Sequence, residues 1–124
     1  MNDLIGLEYE WGARFSDGNN KTDCFQLVCE IRKRLHLSDY TKKFAWAYES
    51  YTPETLKPVR LAKWLLKTGE RLTLPKHGAV ALLADPTSPA LGTVVEDSIV
   101  FISPGKRVVR VPTRRISAYY FWID

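Results

Sequence analysis

Asp23-Cys24-Phe25-Gln26-Leu27-Val28 is the stretch on which the fold of this chain turns. Asp23 is a strong helix N-cap, and Gln26, three positions on, completes a capping-box pattern. Cys24, Leu27, Val28, Ile31 and Leu35 then recur at helical spacing as one apolar stripe. Glu30, Arg32, Lys33 and Arg34 fall on the opposite face, and the basic residues of the last turns suit the helix dipole. The pattern predicts an amphipathic helix from Cys24 to Leu35 or His36, with a thiol in its first turn.

Outward from this helix, composition sets the bounds. A chain of 124 residues, 45% hydrophobic and 26% charged, has the balance of one globular domain over residues 1–124. No apolar run reaches the ~18 residues of a membrane span. Met1-Asn2-Asp3-Leu4 shows no basic region followed by an apolar one, so the expectation is synthesis in the cytoplasm without a signal peptide. The net charge is +4, from Arg32–Arg34, Lys42–Lys43 and a C-terminal set running from Lys106 to Arg115. Solvated faces account for these charges, and no stacking-aromatic RNA motif accompanies them, so nucleic acid is not the expected partner. Cys24 and Cys29 would lie about 140° apart around a helix, which argues against a mutual disulfide. With only His36 and His77 to add, no zinc spacing exists, and no metal or other cofactor is expected.

Before the helix, residues 4–12 mix apolar and aromatic positions with Gly6 and Gly12, which suggests a short helical or irregular segment and a close backbone approach at glycine. Asp17-Gly18-Asn19-Asn20 reads as a turn. Beyond the helix, Tyr40, Phe44 and Ala47 or Tyr48 fit a second helix within an aromatic run that ends at Tyr51. Thr52-Pro53-Glu54 reads as a helix start and Pro58 as a break or restart. Val59, Ala62, Leu65 and Leu66 give a further helix an inner face, capped by Gly69. After Pro75 the pattern becomes strands: 79–84, 91–96, 98–102, 107–111 and 118–123, with turns at 85–89 and 104–106. Helices followed by an antiparallel meander define an α+β domain, N-terminal helices packed on a C-terminal sheet.

Taken together, these motifs resemble the NlpC/p60 family of papain-like cysteine peptidases and amidases. The resemblance runs through Leu4–Gly12, then Asp23–Val28, where the family has Asp-Cys-Ser-Gly-Leu-Val. It resumes at Gly78–Leu83 and at Gly92–Asp97. It implies a papain-like NlpC/p60 fold with Cys24 at the nucleophile position and Tyr9 near it as a cleft or oxyanion residue. The helix N-terminus would lower the thiol pKa. The family's histidine position aligns with Ala90, and the position that orients the histidine falls near Phe101-Ile102-Ser103, where Ser103 is the polar residue. The general base is therefore missing. His36 would lie about 18 Å away along the helix, and His77 about 20 Å away along the sheet. Phe25 and Gln26 also replace the family's small Ser-Gly.

Two functions follow as expectations. The first is a structural or assembly component of a bacteriophage tail or baseplate, a pseudoenzyme whose partners are other tail subunits and whose place is the virion. The second is an active cysteine peptidase or amidase that cuts peptidoglycan peptides through Cys24. Binding of nucleic acid through Lys106–Arg115 is a weaker third reading.

Overall fold

The computed structural model describes residues 1–38, 40–52, 58–83, 90–103 and 105–122. The expected helix start at 52–54, the turn at 85–89 and Pro104 fall wholly or partly outside the described residues.

A 3₁₀ turn (Asn2–Leu4) leads into the two-residue strand β1 (Glu8–Tyr9). A second 3₁₀ turn (Phe15–Asp17) precedes β2 (Lys21–Thr22), which pairs in parallel with β1, Tyr9 opposite Thr22. Helix α1 (Cys24–Arg34) follows at once. It ends in a Schellman motif: His36 N–H bonds the Lys33 carbonyl and Leu37 N–H the Arg32 carbonyl, with His36 at a left-handed φ of 58°.

The single helix expected over 40–51 is two, α2 (Tyr40–Lys43) and α3 (Trp46–Ser50). The break has a local cause. The Trp46 indole N–H donates to the Lys43 carbonyl at 3.2 Å, and the Ala47 N–H turns instead to Phe44. Helix α4 (Pro58–Thr68) buries Leu61, Ala62 and Leu65, whereas Leu66, expected inside, is exposed.

The strands form one antiparallel sheet. β3 (Glu70–Leu72), β4 (Val80–Leu83), β5 (Leu91–Val95), β6 (Ser98–Phe101), β7 (Val109–Pro112) and β8 (Ala118–Trp122) lie in the order β3-β8-β4-β5-β6-β7. Two points differ from the expected meander. β8 inserts between β3 and β4 because it is apolar on both faces: Phe121 faces the helices and Tyr120 the other side, and both are buried. Such a strand cannot sit at an edge. β3 is short and polar, without a pattern of its own, and exists only because β8 offers it a partner.

Alternation assigns each strand residue to a face. On the helix side lie two clusters, and α1 joins them. Phe25, Val28 and Cys29 pack with Tyr40, Phe44, Leu61, Leu65, Leu91 and Phe121. Leu27 and Ile31 pack with Leu4, Leu7, Val95, Val100, Ile102 and Val108. Among the described residues the cluster on the other face is made of strand and strand-flanking residues, including Ala79, Ala81, Ala90, Val94 and Ile99, all buried. Gly92 lets β5 and β6 approach closely on this face, since a Cβ there would meet Ile99 Cγ2 at 2.8 Å and Phe101 Cβ at 3.0 Å.

Because α1 is buried on two sides, one expectation fails. Arg32, read as an outer-face residue, is 0% exposed. Its guanidinium donates to the Ser38 carbonyl and hydroxyl and lies 3.9 Å over the Tyr40 ring. Charge-assisted bonds and a ring face offset the desolvation of a buried cation.

Candidate functional site

The junction of β2 and α1 is the most organised polar point among the described residues. Asp23 is 2% exposed and extended, as an N-cap should be. Its Oδ1 accepts the Gln26 N–H at 2.7 Å, which supplies the cap expected from the sequence. Its Oδ2 accepts the Gly12 N–H, also at 2.7 Å. The Tyr48 hydroxyl lies 2.9 and 2.7 Å from the two oxygens. One carboxylate thus ties together the N-terminal segment, α1 and α3. Gly12 is at φ 81°, which a glycine adopts without strain, and the close backbone approach read from its position is this bond to Asp23. Burial pushes the Asp23 carboxyl above its ordinary value, against the pull of its backbone and tyrosine donors.

Cys24 follows at the first helical position. The residue keeps some solvent contact, but its thiol is closely enveloped. Burial raises the thiol pKa to about 12, and the neighbouring Asp23 charge adds to the rise. Backbone N–H groups of Leu91, Phe25 and Cys24 itself oppose it without prevailing. A helix N-terminus was expected to lower this pKa. Here desolvation and an adjacent carboxylate outweigh the backbone N–H groups that face the sulfur.

Tyr9 is brought to the same place by β1–β2 pairing and packs with Cys24 against the second helix-side cluster. Its pKa is raised to about 12, first by burial and then by the proximity of Cys24 and Asp23. It is a protonated phenol at neutral pH. The structure therefore groups Tyr9, Asp23, Cys24 and Tyr48.

Ala90 and Ser103 are not part of this group. Ala90 belongs to the cluster on the far side of the sheet, and Leu91 is the residue on the α1 side. β5 and β6 pair with Gly92 opposite Phe101, so one step further sets Leu91 opposite Ile102. Both are 0% exposed and apolar. Ser103 accepts the Lys106 N–H through its carbonyl in the following turn.

The histidines are remote. His77 Nδ1 accepts the Glu96 N–H at 2.9 Å, so it sits at the opposite end of β5 from Leu91, about 17 Å along the strand. His36 caps the far end of α1, about 18 Å from Cys24 along the helix. Both imidazoles therefore lie too far from Cys24 to take its proton directly, and burial disfavours its thiolate.

A cleft of about 390 Å³ opens beside the cap, lined by Trp11, Gly12, Arg14, Phe25, Gln26 and Tyr48 among others. Cys24 lines none of the three described clefts. Among the described residues no group of three or more His, Cys, Asp or Glu could hold a metal, and no helix is long and apolar enough to cross a membrane.

Sequence reasoning missed Tyr48 and Gly12 as partners of Asp23. Tyr48 stood in an aromatic run that read as core, and nothing local marks its hydroxyl. Gly12 did carry a signal, a glycine inside an aromatic segment, but not the identity of its acceptor. No family model matches this chain, and neither a curated protein nor a solved structure does.

Proposed function

We propose that the chain is a degenerate NlpC/p60 domain of papain-like fold that serves as a structural or assembly component of the bacteriophage tail or baseplate type, and does not hydrolyse peptides. One observation carries the loss of hydrolysis: the residues on the α1 side of β5 and β6 nearest Cys24 are Leu91 and Ile102, and both histidines lie at the far ends of their elements. Acyl transfer by a thiol needs a base to form the thiolate and return the proton to the leaving group. Among the described residues nothing on that face can do either. The order of elements, a cysteine-bearing helix followed by an antiparallel sheet, supports the family reading.

On this reading the junction around Asp23 persists because it holds the fold together. The test is incubation of the purified chain, and of Cys24→Ala, with peptidoglycan sacculi. No soluble muropeptide above the Cys24→Ala background is the expected result. Release that depends on Cys24 would favour the cysteine peptidase or amidase and sink this proposal. For the assembly role, the tagged chain produced in its native host should sediment with tail-sized particles rather than remain free.

A further inference from the structure

The helices α2, α3 and α4 carry the charge imbalance of the whole chain. Residues 40–50 and 58–68 hold Lys42, Lys43, Arg60, Lys63 and Lys67 against one carboxylate, Glu49. Five cations and one anion leave +4, the net charge of the entire chain, so the remaining basic and acidic residues balance. All five cations are exposed. On α4, Arg60, Lys63 and Lys67 recur at helical spacing with Trp64, while Leu61, Ala62 and Leu65 point inward.

An aromatic cluster sits among these cations. Trp46 and Trp64 have ring centroids 4.5 Å apart, and Tyr51 meets them at 6.4 and 5.5 Å. The Arg60 guanidinium lies 5.0 Å from the Tyr51 ring centroid. Trp46 is 42% exposed, and its one polar atom is turned to the Lys43 carbonyl, so what it offers solvent is apolar. Core packing accounts for Tyr40, Phe44 and Ala47, which are buried, and for the inner sides of Tyr51 and Trp64, which are half-buried against the same cluster, but not for Trp46.

We infer that this face docks a partner protein whose contact surface is an apolar anchor ringed by Asp and Glu. Trp, Tyr and Arg are the residue types that dominate binding hot spots, and opposite charge around them steers and orients association. A second copy of this chain does not fit. A two-fold contact sets the same face against itself, cation against cation. Single-stranded nucleic acid fits less well. It needs a groove with rings spaced for successive bases, whereas these rings touch one another and line none of the three described clefts. The assembly role gives a reason for a partner to exist, and to that extent the inference rests on it; the surface itself stands on its charge and its rings.

The test is selection of a random displayed peptide library against the immobilised full chain, with counter-selection against Trp46→Ser. The expected winners combine several Asp or Glu with an aromatic or leucine. A synthetic winner should bind more weakly as salt rises, and at least about tenfold more weakly to Trp46→Ser and to Arg60→Glu. Lys63→Glu is a charge-only variant that keeps every ring in place and should also weaken binding. All three residues are solvent-accessible, so circular dichroism and the thermal midpoint should match the parent chain. Winners that are basic or uncharged, no enrichment over the counter-selected variant, Trp46-dependent binding of oligothymidylate, or self-association through this face would each overturn the inference. Hydrolysis of sacculi would overturn the assembly role and leave this measurement standing.

Discussion

Removing the Asp23 carboxylate should cost about 3–5 kcal/mol of folding stability. The figure is built from its partners. Loss of the N-cap bond to Gln26 N–H costs about 1 kcal/mol. The Gly12 N–H and the Tyr48 hydroxyl then lose their acceptor, at about 1–3 kcal/mol each where water cannot replace it. Relief from burying a charge offsets part of the sum, since burial already raises the Asp23 pKa. A domain of this size has about 6–15 kcal/mol in all, so Asp23→Ala should fold but with a much lower urea midpoint. The partners also predict coupling. Tyr48→Phe alone should cost about 1–2 kcal/mol, and Asp23→Ala with Tyr48→Phe less than the two costs together, because a hydroxyl that is absent cannot be orphaned. Urea titration followed by tryptophan fluorescence measures all three variants. A loss under about 1 kcal/mol for Asp23→Ala, or strict additivity, would refute the account of this junction as the tie between three segments.

Four further outcomes follow from the structure. With its pKa raised to about 12, Cys24 should be alkylated by iodoacetamide about 10³-fold more slowly near neutral pH than a free thiol. Its rate, read by peptide mass spectrometry, should climb with pH without a plateau below about 11; a plateau near 8 would contradict the burial argument. The same shift carries a stability sign. The unfolded thiol, with its ordinary value of 9.0, loses its proton first, so stability should fall as pH rises from 9.0 towards about 12. His36→Gly should stabilise the chain by about 0.5–1 kcal/mol, because His36 holds φ 58° at the end of α1, and a lower thermal midpoint would exclude strain there. Gly92→Ala should destabilise by about 1–3 kcal/mol, since the added methyl meets Ile99 and Phe101 across the strands. A neutral result by urea titration would mean that β5 and β6 pack less closely at Gly92 than described.

Local chemistry in the sequence accounts for much of this architecture. Asp23 announces the start of α1 because its cap is a short-range bond to the backbone N–H three residues on. Gly69 follows α4, and the apolar runs of β4, β5 and β6 fall where their patterns place them. The failures were of long range. β3 was invisible because a polar three-residue strand has no pattern of its own. Arg32 was assigned to solvent because helical periodicity gives one buried stripe, and α1 is buried on two.

The sequence by itself determined that a thiol opens a capped helix, that helices precede strands, and that His36 and His77 are the two histidines the chain has. Each of these is a matter of residue identity or of neighbours within one turn. Only the tertiary structure decided what the thiol meets. It put Leu91 rather than Ala90 on the α1 side of β5, set Asp23 and burial against ionisation of Cys24, and drew Gly12 and Tyr48 onto the cap. The reason is that a pKa and a hydrogen-bond partner depend on what folding brings within a few ångströms, and in this chain those groups come from four separate segments.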